Sequence, residues 1–293
     1  MQNTPSRTAQ HVALFRALES VRRGPRLFTD PYAASSLGRG YRLAVALARR
    51  SGLANALERR IDRHWPAGPR ASAVVRTRLI DDLVRDALAH DARQLVLLGA
   101  GYDSRAFRLD AARTATVFEV DHPATQAVKR TLVTTWAEAG HPHDDIRFVP
   151  ADLMRQDLGE ALRRAGLRDE PAVVVWEGVT NYLDEPSVHT TLTALAATTA
   201  PGSRIVFTYM DRRALDGTGG FAGVEAWAAS VRAAGEPFTF GFLPGELPGY
   251  LAARGLALTL DLSARDAAER YLEPLGRHEP AAPFYRIAQA EVK

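Results

Sequence analysis

Cysteine is absent from the 293 residues, which excludes disulfides, thiolate nucleophiles and cysteine-ligated metals. Lysine is nearly absent: Lys129 and Lys293 are the only two, so almost all positive charge is arginine. No apolar stretch approaches the roughly 18 residues that a membrane span needs. The run His11-Val-Ala-Leu-Phe breaks at Arg16, too short for a secretory signal. A cytoplasmic location with no membrane partner is expected. There is no internal repeat and no low-complexity tract. With 46% hydrophobic and 24% charged residues, the chain has an ordinary globular composition and the length of one large α/β domain.

The charge that is present is unevenly placed. Residues 1–90 hold 16 arginines and 7 acids, a net +9, leaving −6 on the remainder of a chain whose total is +3. Either this segment packs on an acidic core, or it is a basic cap that draws in an anionic substrate. A nucleic-acid footprint needs clustered basic residues with interleaved aromatics, and these arginines are scattered. No nucleic-acid partner is expected.

Residues 1–90 read as helical, a cap on the substrate side. Leu14, Ala17, Leu18 and Val21 share a helix face that Arg22-Arg23-Gly24-Pro25 ends. Leu43 to Leu57 is a second apolar-rich helix, Trp65-Pro-Ala-Gly-Pro69 a break, and 71–89 a third helix. From 91 to 293 strands and helices alternate. Strands are expected near 94–98, 115–120, 146–149, 172–176, 203–209, 256–261 and 284–291. Helices are expected near 104–110, 123–139, 155–165, 186–199 and 244–254. Such alternation means right-handed crossovers and a mostly parallel α/β sheet with helices on both faces. The last two strands, joined only by a loop over 262–283, are free to pair antiparallel. A seven-stranded sheet ending in one reversed strand is the class I methyltransferase variant of the Rossmann plan. Residues 211–243, with a helix near 222–234, form a long connection of the kind that makes a lid.

The chemistry gathers at QLVLLGAGYDSRAFR, residues 94–108. A buried strand ends in Gly99-Ala100-Gly101, and the next strand closes on Glu119-Val120-Asp121. Glycines let the backbone approach a ligand, amide N–H groups there can hold an anion, and the later carboxylate can accept two ribose hydroxyls. Glu119 and Asp121 point to one face. Asp121, at the strand tip, is the better ribose partner, and Glu119 reads equally as a structural carboxylate paired with an arginine. Arg76 shares its helix face with Leu79, Ile80 and Leu83, whereas Arg78 points with Asp82 and Arg85. A buried arginine must find an anion, so Arg76 is the candidate for ligand contact.

Together LGAGYDSRAFRL, FEVDHPATQAVK, PADL, WEGVTNYL and FTDPYA resemble the leucine carboxyl methyltransferase family in its bacterial branch, from about residue 7 to the last strand. The resemblance implies a Rossmann-like fold and S-adenosyl-L-methionine as cofactor. It puts Gly99, Ala100 and Gly101 beneath the methionine part and Asp121 on the ribose. Asp152 and Leu153 would read the adenine, Glu177 would lie near the amino group or sugar, and an arginine, here Arg76, would bind the carboxylate. Asn181 and Tyr182 would face the acceptor as candidate catalytic residues. Tyr182 reads equally as core packing.

Methyl transfer from a sulfonium is an in-line displacement. An ionised carboxylate needs no base, whereas a phenol or alcohol does. His11, His64, His122, His141, His143 and His189 make no dyad, so a small-molecule or peptide carboxylate comes first and a phenol or hydroxyl second. His141 and His143 are read as solvated surface, and no metal site is expected. An NAD-dependent oxidoreductase is disfavoured by Ser104 at the third-glycine position and by the lack of Tyr-x-x-x-Lys. A nucleic-acid methyltransferase and a catalytically silent cofactor-binding protein complete the alternatives.

Overall fold

The computed structural model describes residues 7–138, 145–153 and 156–293. The N-terminal helices are α1 (Arg7–Val21), α2 (Arg39–Ser51), α3 (Ala54–His64) and α4 (Pro69–His90). Where the sequence suggested one helix over 43–57 there are two, because Gly52 at φ 68° turns the chain between α2 and α3. Then follow β1 (Gln94–Leu98), α5 (Arg105–Arg108), β2 (Thr116–Asp121), α6 (Pro123–Glu138), β3 (Ile146–Pro150), α7 (Leu158–Arg164), β4 (Ala172–Trp176) and α8 (Glu185–Thr198). The chain ends with β5 (Arg204–Met210), α9 (Arg212–Leu215), α10 (Val224–Ala233), α11 (Leu247–Ala252), β6 (Leu256–Ser263), α12 (Ala264–Tyr271) and β7 (Tyr285–Val292).

The seven strands make one sheet in the order β3-β2-β1-β4-β5-β7-β6, parallel except for β7. All residues of β1 and β4 are buried, as uninterrupted Leu/Val runs require in a sheet covered on both faces. One apolar cluster lies under α4 and α12, a second under α7, α8 and α11. A third joins α1, α2 and the start of α3. No helix among the described residues is long and apolar enough to cross a membrane.

Two further expectations need correction. The segment 262–283 is more than a loop: Ser263 and Asp266 form a reciprocal capping box that starts α12. The last two strands pair antiparallel, as the sequence reading allowed, and the one reversed strand, β7, lies between β5 and β6. Register Met210↔Tyr285 therefore brings the start of β7 to the carboxyl ends of the parallel strands. The helix after the glycine turn is a single turn, Arg105–Arg108, followed by a 3-10 turn over Asp110–Thr114.

Candidate active site

Ligands of parallel α/β sheets lie beyond the carboxyl ends of the strands. Here that region is one cavity of about 1310 Å³, lined by Gly99 to Asp103, Asp121, Asp152, Leu153 and Glu177, with Arg76 from α4 and Tyr285 from β7. Gly99 sits at φ 63°, and a Cβ there would meet Val179 Cγ2 at 2.5 Å, so the turn needs glycine on both counts. The turn's amides are already used, against the expectation that they hold an anion. Gly99 and Ala100 donate to the Val120 carbonyl, and Gly101 donates to Asp121 Oδ2 at 2.6 Å. Asp121 Oδ1 accepts from the His122 amide at 2.7 Å. Burial pushes the Asp121 carboxyl up, against those two amides and Lys129. Asp152 and Leu153 stand partly exposed beyond β3.

Glu177, at the tip of β4, is the hinge of a buried ion network. Its carboxylate accepts from Arg76 Nε at 2.6 Å and from Arg105 at 2.6 Å. Arg105 also donates to Asp81 at 2.8 Å and pairs with Asp103 at 2.5 Å, while Arg108 grips Asp81 from α5's far end. Burial opposes the charge on Glu177, but the two guanidiniums outweigh it and hold the carboxyl well below the usual range. Glu177 is thus committed to two arginines before any ligand arrives. Arg105, Asp81 and Asp103 were not singled out from the sequence. Arg105 lies within the quoted SRAFR run, but nothing local says that this arginine is buried and 72 residues from its acid.

Glu119 is a structural carboxylate as one reading held, but its partner is Lys129 at 3.1 Å and not an arginine. Arg76 is 6% exposed and lies over the Tyr285 ring, 5.0 Å from its centroid. Arg78 pairs with Asp82 at 3.0 Å on the solvated side. Arg76→Ala is expected to weaken binding of S-adenosylhomocysteine, the demethylated cofactor, by tenfold or more, as loss of a charge-assisted contact of about 1.5–3 kcal/mol requires. Arg78→Ala should leave it within about twofold. Equal losses by titration calorimetry would sink the assignment.

The cavity also has an aromatic lining. Tyr182, Phe238, Trp227 and Tyr285 form it, Trp227 stacking on Tyr285 at 5.9 Å and 13°. Burial and the neighbouring Tyr285 and Glu236 raise the Tyr182 phenol, which stays a proton donor. Asn181 is 1% exposed and does not line the cavity; its backbone carbonyl accepts from the Thr239 amide at 2.8 Å.

Glu236 escaped the sequence reading. α10 ends in a Schellman motif, Glu236 N to the Val231 carbonyl and Gly235 N to the Arg232 carbonyl, with Gly235 at φ 82°. This cap places Glu236 in the cavity lining, where its Oε2 is buried and has no hydrogen-bond partner among the described residues. The sequence reading placed a helix near 222–234, but nothing in it said where the acid just beyond would point.

His11 and His122 line the cavity, while His189 bonds Arg254 and His64 stacks edge-on against Trp65. His141 and His143 lie outside the described residues. Among the described residues no cluster of metal-ligating side chains occurs.

A profile of the leucine carboxyl methyltransferase family matches residues 9–196. A protein of Streptomyces coelicolor, provisionally named an S-adenosyl-L-methionine-dependent methyltransferase, is 32% identical over 92% of this chain and 88% of its own. One of Streptomyces avermitilis with the same provisional name is 34% identical over 85% and 81%. The crystal structure of a provisionally named methyltransferase from Thermobifida fusca aligns at TM-score 0.61 and 18% identity, covering 99% and 96% of the two chains. These matches set aside the oxidoreductase reading. The chain belongs to the leucine carboxyl methyltransferase family, and is thus a methyltransferase dependent on S-adenosylmethionine.

Proposed function

We propose that this enzyme methylates an oxygen of a small acceptor held between Tyr182 and the wall formed by residues 227–239. The observation that carries this is a single cavity that brings together charged groups (Arg76, Asp121, Asp152, Glu177) and aromatic side chains (Tyr182, Trp227, Phe238, Tyr285). The charged groups suit the cofactor. Asp121 offers oxygens to two ribose hydroxyls, Asp152 and Leu153 flank the adenine, Gly99, Ala100 and Gly101 form a floor whose one side chain is the Ala100 methyl, and Arg76 faces the carboxylate. Glu177 acts mainly by fixing Arg76, and secondarily by facing the amino group. The insertion 211–243 closes the acceptor end through α10, and α1 to α3 form its other side. When bound, S-adenosylmethionine supplies an electrophilic sulfonium methyl group. The protein's task is to hold the acceptor oxygen in line and keep water out.

The acceptor class turns on charge. A carboxylate acceptor, first in the sequence reading, needs no base but does need a cation. Among the described lining residues the arginines are Arg16 and Arg76, held by Asp30 at 2.9 Å and by Glu177 at 2.6 Å. The unpartnered Glu236 oxygen favours the second reading, a phenol or other hydroxyl. The hydroxyl proton passes to the Glu236 carboxylate as the O–CH3 bond forms. The S–CH3 bond breaks, and its electron pair stays on sulfur. Tyr182 donates a hydrogen bond and does not act as base.

Paired panels of aromatic carboxylic acids and phenols with methyl-labelled cofactor test this. Label is expected in base-stable ethers. Glu236→Gln should lower that turnover by about 10²-fold or more, as loss of a general base does, with S-adenosylhomocysteine affinity unchanged. Base-labile esters formed equally well by Glu236→Gln would return the assignment to the carboxylate. Product binding with no transfer would mark a silent cofactor-binding protein.

A further inference from the structure

The excess positive charge of the N-terminal segment has no role in the cavity. Residues 8–68 contain four acids. Glu19, Asp30 and Glu58 are at most 2% exposed, and Asp62 is bound by Arg70 at 2.9 and 2.5 Å. The acids have gone inward and left one sign of charge outside. Arg39, Arg42, Arg49 and Arg50 on α2 are exposed, and so are Arg59, Arg60 and Arg63 on α3. None of the seven makes an ion pair with an acid among the described residues. Within this field lie Leu43, Leu47 and Leu53, at 62%, 58% and 58% exposure, and Tyr41 at 40%. They are four of the six large exposed apolar side chains among the described residues, so the apolar exposure is a patch and not scatter. Arg39, Leu43, Leu47 and Arg50 follow one another at helical spacing, leucines in the middle and guanidiniums at both ends.

We propose that the outer face of α2 and α3 docks on an anionic lipid surface. Headgroup phosphates match guanidiniums that pair with no acid among the described residues, and the acyl boundary takes the leucines, a combination that a lipid interface satisfies at once. A second copy of the chain would bring seven unpaired arginines against seven. A nucleic acid would answer the arginines but strand three leucines on phosphate, with Tyr41 the one Phe, Tyr or Trp exposed on this face among the described residues. Tyr41 and Ile61 also line the cavity, so docking sets its rim against the surface from which an apolar acceptor would come. This proposal departs from the sequence expectation of no membrane partner, and its argument is independent of the acceptor's identity.

The test is flotation of the full chain with vesicles of equal parts phosphatidylglycerol and phosphatidylcholine, against phosphatidylcholine alone. The protein is expected to float only with the anionic vesicles. Each arginine near the surface contributes about fivefold to partitioning, so Arg49→Glu with Arg50→Glu should lower it by more than about 25-fold. Leu43→Ser with Leu47→Ser keeps the charge and should lower it about tenfold. Unchanged affinity for S-adenosylhomocysteine in both variants shows that they fold. The proposal is overturned if the wild-type protein does not float, or if the leucine variant floats as wild type does. It is also overturned if a short DNA duplex strips the protein from the vesicles.

Discussion

Glu177→Gln is expected to destabilise the protein by about 3–5 kcal/mol, because it leaves buried guanidiniums without their shared anion. Arg105 keeps Asp81 and Asp103, but Arg76 loses the one acid it pairs with among the described residues. In a chain of this length the thermal midpoint should fall by roughly 10 °C. The loss should depend on pH with a definite sign. The folded carboxyl titrates below its ordinary 4.5, so on acidification the unfolded chain takes up this proton first. The stabilisation is therefore complete above that ordinary value and is withdrawn progressively below it. Urea titrations of wild type and variant should differ most near neutrality, with the gap closing under acid conditions. A variant that melts as wild type does but no longer binds S-adenosylhomocysteine would make Glu177 a cofactor ligand alone.

Asp121→Ala should weaken S-adenosylhomocysteine binding about 100-fold, since two charge-assisted hydrogen bonds to ribose are lost at about 1.5 kcal/mol or more each. The apo protein is not expected to be indifferent. The amides of Gly101 and His122 lose their acceptor, and a buried unsatisfied donor costs about 1–3 kcal/mol. Asp121→Asn separates the two effects, because its amide oxygen still accepts one backbone hydrogen bond while the charge is gone. Asn should retain more apo stability than Ala while still losing affinity. Because the Asp121 carboxyl is raised by burial, wild-type affinity should fall on acidification before an ordinary aspartate would titrate. If affinity is flat through that range, and unchanged in Asp121→Ala, the ribose lies elsewhere.

Glutamine at 177 and alanine at 121 probe residues that were both legible in the sequence, for different reasons. Asp121 was found by local rules: a buried strand, a tip position and a distance from the glycine turn. Glu177 was found by its motif, but its work was not readable. The acid that draws Arg76 inward lies 101 residues further along the chain, and sequence spacing carries no signal over that distance. Likewise the face argument separated Arg76 from Arg78, because helical periodicity alone decides which side is apolar. It could not name the partner of Glu119, which is a lysine on α6.

What the sequence determined by itself is everything local or periodic: the strands, the glycine turn, the tip carboxylates and the buried face of α4. These follow from backbone sterics and from burial of apolar stripes, which act within a few residues. The tertiary structure decided which amides remained free and where the reversed strand inserted. It also decided which acids went inward and where Glu236 pointed. Insertion of β7 beside β5 brought Tyr285 under Arg76, and the choice of buried acids turned a net +9 into a surface of one sign. Those outcomes depend on charge pairing and packing between residues far apart in the chain, which only the closed fold brings within a few ångströms.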